Sequence, residues 1–186
     1  MKVVDNNSAG LKQIVELIKN GGVAVFPTDT SYGVGGVFDS PAVIDRILKI
    51  KKRRDKKFVV ICSGLQEAKK VFVLDKIVRK LAQQYWPGPL SIAVGDCYAI
   101  RVPDNELVRK LVKMVGRPII ATSANLSGRE PIYESKLVLN EFKNKKNQPD
   151  LLLDAGKLKK NPVSTLIQVK NGEIEVLRKG SLKISM

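Results

Sequence analysis

The sequence predicts an α/β protein built on a partly parallel sheet. Two observations carry this. Stretches with apolar residues at helical spacing alternate along the whole chain with short apolar runs of strand length. Near the end, Asn171-Gly172 lies between two such runs and signals a hairpin, so at least one pair is antiparallel.

The elements follow in order. Residues 8–20 carry Leu11, Ile14, Val15 and Ile18 on one helical face, and Gly21-Gly22 stops the helix. Val23 to Phe26 reads as a short buried strand ending at Pro27. A glycine-rich stretch, 28–36, comes next. Ser40 and Pro41 open a helix with Val43, Ile44, Ile47 and Leu48 inward. Phe58 to Cys62 is a strand, and Ser63 with Gln66 matches a capping box for the next helix. A helix over 75–85 stops at Trp86-Pro87-Gly88-Pro89. Strands are expected at 90–94 and 98–102, a helix at 105–115 ended by Gly116, and a strand at 118–121. A helix at 135–143 and strands at 151–154, 165–170 and 173–177 complete the chain, with 143–160 the loosest part. No repeat or low-complexity linker interrupts this, so residues 1–186 read as a single domain.

Composition narrows the chemistry. The chain has 186 residues, 44% of them hydrophobic, which suits a folded core. No run of about 18 apolar residues is present and the first residues lack an apolar leader, so the expectation is a cytoplasmic protein with no membrane partner. Two cysteines, Cys62 and Cys97, are too few for a disulfide framework or a thiolate zinc site. There is no histidine. A Ser-His-Asp or Cys-His pair and a histidine-ligated metal are therefore excluded. The net charge of +15, from 33 basic and 18 acidic residues, attracts polyanions, although lysine-rich solubility alone accounts for part of it.

Neither a phosphate-binding P-loop nor a dinucleotide glycine fingerprint occurs. Four polar groupings remain. Pro27-Thr28-Asp29-Thr30-Ser31-Tyr32-Gly33 follows a strand, where α/β sheets place ligands, or else forms an ordinary turn. Lys49 to Lys57 holds seven basic residues in nine. Lys51 and Arg53 share a face only if the helix ends near Ile50 and the chain extends, and two such cations suit a polyphosphate. Thr122-Ser123-Ala124-Asn125-Leu126-Ser127-Gly128 follows an apolar strand and offers a hydroxyl and an amide two residues apart, or a capping turn. Arg101, Ser164 and Arg178 are scattered; each alone reads as a surface residue as readily as a ligand.

Taken in order, Pro-Thr-Asp-Thr-x-Tyr-Gly, Lys51-x-Arg53, Trp-Pro-Gly-Pro, Arg-x-Pro, Ser123-x-Asn125-x-Ser127-Gly128, Ser164-Thr165 and Leu-Arg-x-Gly resemble the YrdC-like family, the threonylcarbamoyl-AMP synthases. The resemblance runs from about Gly21 to Leu182. It implies a twisted mixed sheet with flanking helices and an open basic cleft, in the short single-domain form. It implies a reaction of L-threonine, bicarbonate and ATP that yields threonylcarbamoyl-adenylate and pyrophosphate. A partner complex then carries the threonylcarbamoyl group to adenosine 37 of tRNA. It implies magnesium travelling with ATP, no tightly bound cofactor and no protein metal site. tRNA or double-stranded RNA is a further implied partner. By the resemblance, Lys51 and Arg53 hold the ATP phosphates and serve catalysis. Asn125 and Arg178 also contact ATP, with Asp55, Cys97 and Tyr133 nearby. Thr28, Ser123, Arg101 and Ser164 bind threonine. The sequence departs from the pattern at Ser31, Val34, Ser91 and Phe58, and the last leaves the path of the basic loop open. The alternative reading is a non-catalytic RNA-binding protein, whose binding weakens steeply with salt.

Overall fold

The computed structural model describes residues 1–184. Ten strands form one sheet: β1 (Lys2–Asp5), β2 (Ala24–Pro27), β3 (Tyr32–Val37), β4 (Phe58–Ile61), β5 (Leu90–Val94), β6 (Tyr98–Arg101), β7 (Ile119–Ser123), β8 (Leu151–Asp154), β9 (Thr165–Lys170) and β10 (Glu173–Arg178). Six helices flank it: α1 (Ser8–Lys19), α2 (Pro41–Lys51), α3 (Leu65–Val71), α4 (Lys76–Tyr85), α5 (Glu106–Val115) and α6 (Ser135–Phe142). The strand order is β1-β8-β2-β3-β7-β4-β6-β5-β9-β10. Pairs β1/β8, β2/β8, β4/β6 and β5/β9 are parallel and the others antiparallel, so the expected mixed sheet is present.

Two strands are absent from the sequence reading. β1 has only Val4 turned inward, too little alternation to register. Its backbone is held instead by parallel pairing with β8. β3 is disguised by glycines, Tyr-Gly-Val-Gly-Gly-Val, yet all six residues are buried. Two of the glycines are steric necessities. A Cβ on Gly35 would lie 2.1 Å from the Ile120 carbonyl oxygen. One on Gly36 would lie 2.7 Å from a Val43 methyl and 2.8 Å from the Gly22 oxygen, so its absence lets α2 settle on the sheet.

The helix ends follow local chemistry with two corrections. Asn7 caps α1, its Oδ1 accepting from Ala9 N (3.0 Å) and Gly10 N (2.9 Å). Asp75 and Asn105 cap α4 and α5 in the same way. The Ser63/Gln66 capping box does not form: Gly64 is the cap of α3, and Ser63 instead clasps Glu67 Oε2 through its N–H (2.6 Å) and hydroxyl (3.0 Å). The basic segment is the second. α2 continues through Lys51, and Lys52 turns it off in the left-handed conformation (φ 52°). The chain does not extend from Ile50.

The segment expected to be loosest also carries order in its middle, because β8 sits between β1 and β2 with Leu151, Leu152 and Leu153 buried. One connected core runs from Val4 to Ile167.

The central strands read differently on their two faces. Val60, Ile92, Ile100, Ile120 and Ile167 are fully enclosed on one side. The alternate residues Val59, Ala93, Ala99, Ala121 and Leu166 form an open floor on the other. The sheet is also saddle-shaped. Arg101 stands level with Ile61 and Ile119, whereas Asp29 follows β2 beyond the Pro27/Tyr32 pair, at the end of the sheet where Gly33 pairs with Ser123, yet their side chains form an ion pair. On the opposite face, Phe38 beyond Val37 meets Tyr98, ring centroids 5.2 Å apart, across the other diagonal of the same strands. Right-handed twist accumulated over β3, β7, β4 and β6 brings opposite corners together in this way.

Candidate active site

The open face of the saddle is a cleft of about 830 Å³. Its floor is low because Gly33, Ala93, Ala99 and Ala121 have little or no side chain. Polar groups stand around that floor. Of the candidate residues, Thr28, Arg53, Cys97, Arg101, Ser123, Tyr133, Ser164 and Arg178 all line it. They come from segments up to 150 residues apart, counting Thr28 against Arg178. Lys51, Asp55 and Asn125 do not line it.

Thr28 closes the loop between β2 and β3. Its hydroxyl donates to Ser31 O (2.7 Å) and accepts from the N–H groups of Thr30 and Ser31 (both 3.2 Å). The loop thereby holds Asp29 toward Arg101. Arg101 is 6% exposed; its Nε donates to Gly88 O (3.1 Å) and its Nη2 pairs with Asp29 Oδ2. The Trp86-Pro87-Gly88-Pro89 turn supplies that carbonyl. It is fixed in turn by Trp86 Nε1 donating to Leu90 O (2.7 Å) and Gly88 N donating to Val102 O (2.9 Å). Burial pulls the Arg101 pKa down and Asp29 opposes it. Guanidinium groups stay charged under such shifts.

Arg178 comes from the last strand. Its Nη2 donates to Ser164 O (3.0 Å) and Ser164 Oγ (3.1 Å), and Ser164 Oγ lies 2.9 Å from Ser91 Oγ. Ser91, one of the departures, therefore provides a hydroxyl that orients Ser164. Arg53 donates from Nε to Asp55 O (3.0 Å) and from Nη2 to Lys57 O (2.6 Å). Its guanidinium carbon sits 4.5 Å from the centre of the Phe58 ring. Phe58 thus fixes the path of the basic loop by holding Arg53 over its face. Burial lowers the pKa of both Arg53 and Arg178.

Lys51 is placed differently from the expectation. It is 3% exposed, and its ammonium donates to Ser123 O (2.5 Å) and Asn125 O (2.7 Å) behind the cleft wall. Ser127 N donates back to Lys51 O (3.0 Å). Burial, with help from Arg53 and against Glu141, pulls its pKa down to about 8. Asn125 ties the same loop, donating from Nδ2 to Leu126 O (2.9 Å) and Arg129 O (2.7 Å). Asp55 turns to Arg53 rather than to the cleft. Lys51 and Asn125 position the Ser123 loop, and Asp55 positions Arg53.

Sequence reasoning assigned no role to Asp29, although it lies inside the first motif. The signal available was the carboxylate between two threonines after a strand. Among the described residues no group of three or more Cys, Asp or Glu could hold a metal ion. Among the described residues no helix is long and apolar enough to cross a membrane.

The sequence model of the Sua5/YciO/YrdC family, described as telomere recombination, matches residues 16–180. A threonylcarbamoyl-AMP synthase of Enterobacter sp. (strain 638) is 31% identical over 149 residues, covering 71% of this chain and 78% of that protein. The threonylcarbamoyl-AMP synthase of Vibrio vulnificus (strain YJ016) is 33% identical over 138 residues, covering 65% and 74%. Among solved structures, P. abyssi Sua5 complexed with L-threonine superposes with a TM-score of 0.88 at 24% identity. The match covers 98% of this chain and 58% of that one. At that identity the superposition speaks to the fold, which is the same.

Proposed function

As this chain belongs to the Sua5/YciO/YrdC family, we propose that it joins L-threonine, bicarbonate and ATP into threonylcarbamoyl-adenylate and pyrophosphate, for the modification of adenosine 37 in tRNA. The observation that carries this is the convergence of three guanidinium groups, Arg53, Arg101 and Arg178, on a cleft floored by small side chains.

The chemistry suits a site without histidine. Threonine's α-ammonium group condenses with bicarbonate to a carbamate, releasing water and one proton. A carbamate oxygen then attacks the α-phosphorus, and pyrophosphate leaves. Such a displacement depends mainly on positioning and on neutralising charge. Arg53, held by Asp55, Lys57 and Phe58, reaches the triphosphate from one wall, beside Cys97 and Tyr133. Arg178 reaches the nucleotide from the opposite strand. Thr28, Ser123, Arg101 and Ser164 surround the amino acid. Lys51, Asn125 and Asp55 serve the ATP site by positioning. Magnesium carried by the triphosphate supplies further neutralisation and needs few protein ligands; Asp96 is a carboxylate on the cleft wall that fits this use. The adenylate's onward partner is a complex that transfers its threonylcarbamoyl group to tRNA. Residues 1–186 act as one domain in the cytosol.

Pyrophosphate release by the purified protein, with ATP and bicarbonate, is measured with and without L-threonine and with serine as a control. Threonine-dependent release supports the reading. A folded sample that releases none with threonine overturns it, and salt-dependent RNA titration then tests the RNA-binding alternative.

A further inference from the structure

The Asp29–Arg101 pair sits at the amino-acid end of the cleft, and its two members are unequally satisfied. Arg101 is engaged at Nε by Gly88 O and at Nη2 by Asp29 Oδ2. Asp29 Oδ1 is closed from solvent and has no hydrogen-bond partner. The side chain as a whole is 18% exposed and lines the cleft, and its backbone oxygen is tied down by Asn161 Nδ2 (2.8 Å). A buried carboxylate oxygen without a donor is costly and calls for an explanation, and at a cleft-lining residue a ligand donor is one.

The pair's net charge decides what that donor is. Arg101 alone would attract any anion. Paired with Asp29, the two groups are neutral together and present a cation and an anion side by side, with Arg178 and Asp104 also acting on Arg101. That is the complement of a zwitterion: a carboxylate for the arginine, an ammonium for the aspartate. A bare carboxylate would instead compete with Asp29 for Arg101.

We propose that Asp29 seats the α-ammonium of the amino-acid substrate, so that the Asp29–Arg101 pair recognises a free α-amino acid as a zwitterion. The inference rests on the reading of the cleft as an L-threonine site. Rotation of the carboxylate about its terminal torsion, a broad two-fold motion, turns an oxygen toward the ligand without breaking the loop held by Thr28.

The test compares L-threonine with (R)-3-hydroxybutanoate, the same molecule without its amine, by calorimetric titration of the wild-type protein and of Asp29→Asn. In the wild type, removing the amine lowers affinity about 10- to 100-fold, the worth of a hydrogen bond to a charged group. In Asp29→Asn, threonine weakens by a similar factor and the amine-free compound does not. Equal affinity of the wild type for both compounds overturns the inference, and this arm needs no variant to fold. An Asp29→Asn protein that loses both ligands equally overturns it too, since that pattern belongs to a residue that only orients Arg101. A wild type that binds neither compound and releases no pyrophosphate removes the threonine reading itself, and the inference with it. Threonine binding that is intact in both proteins removes the inference alone.

Discussion

The two faces of β4, β5, β6, β7 and β9 are made by alternate residues of the same strands, and they do opposite work. On the helix-covered face, Val60, Ile92, Ile100, Ile120 and Ile167 are shut from solvent. Burying each such side chain contributes about 1.5–3 kcal/mol. On the open face, Ala93, Ala99 and Ala121 stay low, and charge stands around them. Neighbours one residue apart therefore divide into those that hold the fold and those that leave room. Stability and ligand binding should separate along that line.

The sharpest break of this comparison uses adjacent residues. Ile120→Ala should lower stability by about 2–5 kcal/mol, through lost transfer energy and a cavity. Denaturant unfolding reads it directly. Ala121→Leu adds volume on the open side, so its unfolding midpoint should move little while ATP and threonine binding fall at least tenfold. If Ala121→Leu destabilises as much as Ile120→Ala, the open face is core after all and the division fails.

The sequence displayed one of these faces better than the other. Long apolar periodicity made α1, α2, α4 and α5 legible, and apolar runs marked β4 and β7. β3 was hidden because its glycines answer to the backbone of β7 and to α2, contacts that exist only after folding. The cleft residues were visible as motifs, but their grouping was not. Arg101 and Asp29 meet across a diagonal of a saddle, and no spacing rule along the chain contains that twist. Lys51 was the largest surprise. A lysine beside six other basic residues looks solvated, and its acceptors are two carbonyls 72 and 74 residues away. Backbone acceptors leave no mark in a sequence.

Lys51 and Arg53 restate the comparison within three residues: one cation behind the wall, one on it. Arg53→Ala should cost ATP affinity with stability within about 1 kcal/mol, since its acceptors, Asp55 O and Lys57 O, lie at the surface where water can replace the lost donor. Lys51→Met should cost about 1–3 kcal/mol, because two carbonyls lose their donor. The pH dependence separates them further. The folded-state pKa of Lys51 is pulled down to about 8 from 10.5, so between those values the unfolded chain binds more protons than the folded one. Stability then rises with pH across that window. The rise should be present in the wild type and in Arg53→Ala and missing in Lys51→Met. A rise of equal size in all three would place Lys51 in solvent.

The smallest expected effect probes how Arg53 is kept on the wall. Phe58 is 4% exposed and lies under the Arg53 guanidinium. Phe58→Leu keeps the apolar burial of β4 nearly constant and removes the ring face. The cation–π contribution at such a half-open position is about 0.5–1 kcal/mol, which corresponds to roughly a two- to fivefold loss of ATP affinity. Threonine affinity should not change, because the hydrogen bonds of Arg101 run to Gly88 and Asp29 and not to this loop. A loss shared by both ligands would mean that Phe58 shapes the whole floor, and that the ATP and amino-acid ends of the cleft are not separately built. A loss confined to ATP would assign Phe58, a residue from the core side of a strand end, to the open face through the cation it carries.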